Sequence, residues 1–279
     1  MSAAHCEALV RAADKDRFLA ALFARAEHRP ALYALYAFNV EIARVRELVR
    51  EPLAGEIRLQ WWRDALEGEG RGDVGAHPVA AALFAAIAHY RLPVAALEAL
   101  IEARRFDLRD EPMATLAELE SYAENASSKL IALAGRILAS DTDIVALAHH
   151  AGLAYAFTGL LNALPLHAAR SQLYLPMELL QRHGARREDV VERRATAQLR
   201  ATLADLRREA RVHLSTARPW MASAPSAVIP ALLPLAPIGL ILACMERPDY
   251  DPFSPVKLPQ WRRQWLIWRA ARRPMRMFI

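Results

Sequence analysis

The stretch Arg29-Pro-Ala-Leu-Tyr-Ala-Leu-Tyr-Ala-Phe-Asn-Val-Glu-Ile-Ala-Arg-Val-Arg-Glu-Leu48, with Glu56-Ile-Arg-Leu-Gln-Trp-Trp-Arg-Asp-Ala-Leu66 behind it, decides the fold. Pro30 suits a first helical turn, where its missing N–H removes no bond. No Pro or Gly follows until Pro52, and the run is dense in Ala, Leu and aromatics, so a long helix over 30–50 is predicted. On a 3.6-residue period Tyr36, Val40, Ala43/Arg44 and Glu47 share one stripe. A face buried in a core is apolar throughout. This one mixes an aromatic, small residues, an arginine and a carboxylate, and is expected to line a cavity.

Composition points to one large helical domain spanning 1–279. The chain is 54% hydrophobic, with 10 glycines against 17 prolines, and shows no internal repeat. The formal charge of +5 comes from arginines spread through helices. No zinc-finger, basic-zipper or RNA-recognition signature accompanies it, so nucleic acid is not an expected partner. Cys6 and Cys244 stand alone, neither a disulfide framework nor a metal site. Glu7, Asp14 and Asp16 near the N-terminus fit neither a secretory signal nor an acid-poor transit peptide. A reducing cytoplasm is the expected setting.

Outward from the central stretch, helices are read over 3–24, 78–90, 94–108, 115–139, 141–164 and 188–218, with no strand. Leu22 and Phe23 are placed on an apolar face of the first segment. The second half of the opening stretch is read as a helix beginning after Gly55, and Gly68–Gly75 as a loop. Thr115 is the expected N-cap of its helix, with Glu118 as capping-box partner. Residues 219–245 carry no charge, enough for a membrane span by length. Pro225, Pro230, Pro234 and Pro237 interrupt the run, so a buried core segment is preferred.

The motifs resemble those of the squalene/phytoene synthase family. Leu32-Tyr-Ala-Leu-Tyr-Ala-Phe38 and Leu59-Gln-Trp-Trp-Arg-Asp-Ala-Leu66 look like that family's opening, and Tyr174-Leu-Pro176 with His183-Gly184 like its downstream pattern. The resemblance implies an all-α isoprenoid-synthase-type domain around a central cavity. In the synthases two Asp motifs bind magnesium ions that hold a prenyl diphosphate. Here the first falls on Ala43, Arg44 and Glu47, and the second on Ala163 and His167, so only Glu47 is a carboxylate. Pro165 is expected to remove a hydrogen bond and clash with the Leu161 carbonyl, so that the straight face holding two side chains one turn apart is lost.

The third motif helix, Tyr122-Ala-Glu-Asn-Ala-Ser-Ser-Lys129, keeps the aromatic Tyr122. It places Ser128, Lys129 and Ile131 where small residues are usual, so either the tunnel narrows or Lys129 faces solvent. Magnesium wants hard oxygen ligands and departure of diphosphate needs a Lewis acid, so these replacements argue against the family's reaction. The i,i+4 pairs Glu98/Glu102, Asp107/Glu111, Glu120/Glu124 and Glu47/Glu51 read as exposed helix pairs rather than a relocated metal site. No cofactor is expected, magnesium entering only if the chain is an active prenyltransferase. Arg44, Lys129 and His167 are expected to face the cavity together, the alternative for Arg44 being a local pair with Glu41 or Glu47.

Within the family, the Phe38-Asn-Val-Glu41 run, Tyr122-Ala-Glu-Asn125 and Pro165-x-His167 are similar to a non-catalytic branch, the respiratory complex I assembly factors, more than to the synthases. That implies a helper at the inner face of an energy-transducing membrane: cytoplasmic, peripheral to the inner membrane, and in contact with the membrane surface and a respiratory-complex subunit. Two other classes stay open, a prenyl diphosphate synthase with an altered metal site and a protein binding an isoprenoid or anionic lipid without turnover.

The C-terminus stands apart. No acidic residue follows Asp251, while Lys257 and six arginines accumulate. A helix over 258–273 would put Trp261, Trp265 and Trp268 on one face beside Arg262, Arg263, Arg269 and Arg272. Such a face suits a headgroup region, or else packs on the domain.

Overall fold

A computed structural model describes residues 2–49, 51–70, 73–109 and 111–278. Arg50 in the segment after the central helix, and Arg71 and Gly72 in the predicted loop, lie outside the described residues. Among the described residues the secondary structure is all helical. The N-terminal half contributes α1 (Ser2–Ala13), α2 (Lys15–Ala21), α3 (Arg29–Ala43), α4 (Val45–Leu48), α5 (Pro52–Glu67), α6 (Pro78–Tyr90) and α7 (Val94–Phe106). Next come α8 (Leu116–Ala123), a π-helical turn (Glu124–Ser128) and α9 (Lys129–Leu138). The second half holds α10 (Val145–Asn162), α11 (Leu164–Ala169), α12 (Met177–His183), α13 (Arg187–Val191) and α14 (Ala197–Ser223). After α15 (Ile229–Leu232) and α16 (Ile238–Met245) the last long element is α17 (Gln260–Arg272).

Two apolar cores meet side by side. One gathers α1, α3, α6 and α7 around Leu32, Leu35, Phe38, Leu83 and Leu97. The other joins α10 and α14 through Leu153, Phe157, Leu203 and Leu206. Helix α9 contributes to both, Ile131 to the second and Leu130, Leu133 and Ile137 to the first.

Several boundaries differ from the sequence expectation. The 30–50 helix stops at Ala43, and Arg44 (φ −87°, ψ −4°) leads into α4. No Pro or Gly causes this; turning the chain buries Val45 to 4% exposure, and tertiary packing outweighs propensity. Helix α5 begins at Pro52, ahead of Gly55. A Cβ on Gly55 would stand 2.6 Å from Leu108, so the glycine lets α5 approach the end of α7. Thr115 caps α8 as expected, but Glu118 accepts from the Ala114 N–H. Residues 188–218 divide into α13 and a longer α14 that runs through Pro219. Leu22 and Phe23 are 42% and 43% exposed rather than packed.

The uncharged run is settled by burial. Ser226–Met245 is long and apolar enough to cross a bilayer, yet 78% of it is buried inside the protein and it is built from short broken helices. Val228, Leu232, Leu233 and Leu235 have no exposed surface.

Candidate functional site

A cavity of about 290 Å³ opens between the two cores. Helix α3 lines it with Asn39 and Ala43, α4 with Arg46 and Glu47, α7 with Arg104, and α8 with Tyr122. Arg17 of α2, Ser127 of the π turn, Tyr155 of α10, His167 of α11, Arg170, Gln172 and Tyr174 complete the polar wall, and Ala163 lies at the break between α10 and α11. Beyond this wall the apolar lining is short: Ala126, Ala156, Gly159, Leu160 and Leu166. The volume lies at the small end of ligand pockets.

Asp107 is the hub. It caps the C-terminus of α7, is 7% exposed, and accepts from Tyr174 at 2.7 Å and Tyr122 at 2.8 Å on Oδ1. Arg104 donates to its Oδ2 at 3.2 Å and to the Tyr122 hydroxyl at 3.2 Å. Gln172 donates to its backbone carbonyl at 3.3 Å. Burial first, then the Asp107 charge, hold Tyr122 and Tyr174 far above the ordinary phenol range, so both remain O–H donors. The sequence pattern makes Asp107 half of an exposed pair with Glu111. It is instead the buried carboxylate that ties three segments together. The signal for this is Phe106 and Leu108 on either side of it, with Arg104 one turn earlier.

The opposite wall is arginine. Arg17 pairs with Asp14 at 2.6 Å and lies over the rings of Tyr155 (5.0 Å) and Tyr36 (5.8 Å). Arg170 reaches Glu47 at 3.4 Å. The Nε of Arg104, the Oδ1 of Asn39 and the Oγ of Ser127 are buried without a hydrogen-bond partner in the protein. Asn39 and Ser127 are 7% and 5% exposed. Buried polar groups left unpaired cost about 1–3 kcal/mol each, and these three belong to residues that line the cavity.

Of the sequence-predicted residues, Ala43, Glu47, Tyr122, Ala163, His167 and Tyr174 do meet in this cavity. Tyr36 lies one layer below, under Arg17. Val40 and Arg44 do not reach it. They lie about 100° round the helix from Asn39 and Ala43, and that side lines a neighbouring recess of about 460 Å³ with Glu41, Trp61 and His77. Arg44 is half exposed and 3.9 Å from Glu47, the local pair that is its alternative.

Lys129 is also outside. On a straight helix it would share Tyr122's face, seven residues on, but the π turn adds a residue and rotates α9 by about 100° relative to α8. Lys129 lies instead in a separate recess, 3.4 Å from Glu124. His167 is in the cavity but is not a cation. Burial pushes its pKa down to about 4, and its ring lies 4.4 Å from that of Tyr174. The cations of the cavity are Arg17, Arg46, Arg104 and Arg170, three of which the motif comparison does not point to.

Pro165 acts as expected. Helix α10 ends at Asn162, Ala163 takes φ −89° and ψ 0°, and α11 restarts with the proline in its first turn. The face that would set two side chains one turn apart is gone. Magnesium does not fit the donor set that remains. Asp107 is spent on two phenols and a guanidinium, and Glu47 on Arg170. Among the described residues no group of three or more His, Cys, Asp and Glu is arranged to hold a metal ion.

Comparison with known proteins identifies the family and the fold. The squalene/phytoene synthase family model matches residues 10–269. Complex I assembly factor 6 of Rattus norvegicus is 33% identical over 252 residues, covering 90% of this chain and 76% of that protein. Presqualene diphosphate synthase of Rhodopseudomonas palustris is 26% identical, covering 82% and 83%. A dehydrosqualene synthase crystal structure superposes with a TM-score of 0.81 at 20% identity, covering 98% of this chain and 96% of that one, a likeness of fold. With its family-wide match and its cavity at the meeting of α3, α7, α8 and α10, the chain belongs to the squalene/phytoene synthase family.

Proposed function

We propose that this chain is a non-catalytic member of its family that assists assembly of a membrane respiratory complex of the complex I type, working at the cytoplasmic face of the inner membrane. One observation carries the reading: the sign of the cavity. Where carboxylates would collect divalent cations stand Ala43, Ala163 and a neutral His167, and the wall carries four arginines. The similarity to complex I assembly factor 6 supplies the class of role. The test is deletion of the gene in its host, followed by native-gel quantitation of the NADH dehydrogenase complex. Loss of assembled complex, restored by wild type and by Glu47→Ala alike, is expected. Intact complex in the deletion strain refutes the role. Product from farnesyl or geranylgeranyl diphosphate and magnesium, abolished by Glu47→Ala, would return the chain to the synthases.

A second reading is favoured by the arginines Arg17, Arg46, Arg104 and Arg170 that line the cavity. The cavity holds an anionic or isoprenoid lipid without turning it over. Direct contact with guanidinium replaces carboxylate plus metal, a role suited to bidentate oxyanion binding. Mass spectrometry of organic extracts from purified protein tests it, and the absence of any stoichiometric lipid in native preparations counts against it.

A further inference from the structure

We propose that the outer face of α17 is a docking surface for an anionic lipid bilayer. The helix has two sides. Leu266, Ile267 and Ala270 are buried against the domain, and Arg263 is held by the buried Asp16 of α2, its Nε 3.0 Å from Oδ1. On the other side Trp261, Trp265 and Trp268 are 68%, 48% and 44% exposed. The Arg269 guanidinium lies 4.5 Å over the Trp265 ring and Arg272 4.2 Å over Trp268. Arg262 flanks the row, exposed. The domain therefore fixes the helix with its aromatic row outward, and each of two rings carries a cation stacked upon it.

Shape and charge select the occupant. Trp261 to Trp268 spans roughly 10 Å along one line of the helix surface, at 1.5 Å per residue. The recess bounded by Lys257, Leu258, Gln260 and Arg263 takes no side chain from the row. A ridge of rings fits a flat surface rather than a groove-filling segment. Indole rings favour the boundary between headgroups and acyl chains, where the ring is half desolvated and the stacked guanidinium meets phosphate oxygens. From residue 252 to the end there are seven basic residues and no acidic one, so the segment is complementary to an anionic leaflet. This deepens the membrane-side reading above by naming the surface that performs it. Vesicle binding by purified protein is scored apart from complex assembly in cells, so either can fail without the other.

The experiment is co-sedimentation of the full chain with vesicles of phosphatidylcholine alone or mixed with phosphatidylglycerol, at physiological and raised salt. The wild type is expected to bind the mixed vesicles, and salt to weaken it. At about fivefold per basic residue, Arg262→Glu/Arg269→Glu/Arg272→Glu loses about a hundredfold or more. Trp261→Ser/Trp265→Ser/Trp268→Ser loses quenching of tryptophan fluorescence by brominated lipid together with part of the affinity. Arg262→Glu alone, which disturbs neither stacked pair, guards against a folding defect and loses about fivefold or more. No binding, equal binding to neutral vesicles, or wild-type binding by both triple variants would overturn the proposal. Capture of an acidic protein in place of lipid would overturn it as well.

Discussion

Replacing Asp107 by alanine tests whether the carboxylate is the keystone of the cavity. The side chain is 9% exposed, and its partner Arg104 is 15% exposed. Asp107→Ala leaves the Arg104 charge, whose Nε already lacks a partner, with only the Tyr122 hydroxyl at 3.2 Å. It also strips the acceptor from two phenols that sit at 2.7 and 2.8 Å. Removing one member of a buried pair costs about 3–5 kcal/mol, because the other charge stays buried without compensation. Asp107→Asn keeps an oxygen for the phenols but turns an amide N–H toward Arg104, so about half that loss is expected. Arg104→Met/Asp107→Leu removes both charges. It should be less destabilised than the sum of its single changes by about 2 kcal/mol or more, the signature of a coupled pair. Urea unfolding followed by far-ultraviolet circular dichroism and tryptophan fluorescence gives the values, with m unchanged across the set. A loss under about 1 kcal/mol in Asp107→Ala, or strict additivity of the cycle, would refute the keystone role.

Two further tests probe the surroundings. Burial raises the Glu41 pKa from 4.5 to about 7. The folded value lies above the unfolded one, so the stabilisation it confers is present below pH 4.5 and is lost as pH rises through 7. Glu41→Gln is therefore expected to stabilise at about pH 8 by roughly 1–3 kcal/mol and to be neutral near pH 4.5. A difference between variant and wild type that does not change with pH would contradict this. Gly152→Ala places a methyl 2.2 Å from Ser128 Oγ and 2.4 Å from its Cα, where α10 meets the π turn. Backbone cannot yield as a side-chain tip does, so a loss of about 2 kcal/mol or more is expected by thermal unfolding, and wild-type stability would show that the π turn can relax.

The fold is legible because helix periodicity, the proline positions and the aromatic motifs all agree. Pro30, Pro78 and Pro165 each open a helix where the sequence predicts one or a break before it. The site is legible by motif register for Ala43, Glu47, Tyr122, Ala163, His167 and Tyr174. Register fails for Val40, Arg44 and Lys129. Val40 and Arg44 sit one residue round the helix from Asn39 and Ala43 and line another recess, and the π turn moves Lys129. Neither leaves a composition signal: the first turns on which side of α3 meets the cavity, and the second on a π turn whose Ser128 packs against Gly152 of α10. Arg17 and Asp107 are hidden for a different reason. They reach the cavity from α2 and from the end of α7, segments outside every motif, and only tertiary packing brings them in.

Absence of metal ligands and presence of a cationic wall are different features, and this cavity has a cationic wall. Here the lining carries Arg17, Arg46, Arg104 and Arg170 against Asp107 and Glu47, with His167 uncharged. A divalent cation brought to that wall meets repulsion at short range, and in a partly buried site this is screened far less than at the surface. An oxyanion meets attraction there. Self-repulsion among the guanidiniums would destabilise a cavity that never holds an anion. Nearby carboxylates offset part of it: Asp14 beside Arg17, Asp107 beside Arg104 and Glu47 beside Arg170. The fold thus supports a cationic interior in its free state, and an anion would complete that interior without help from a metal.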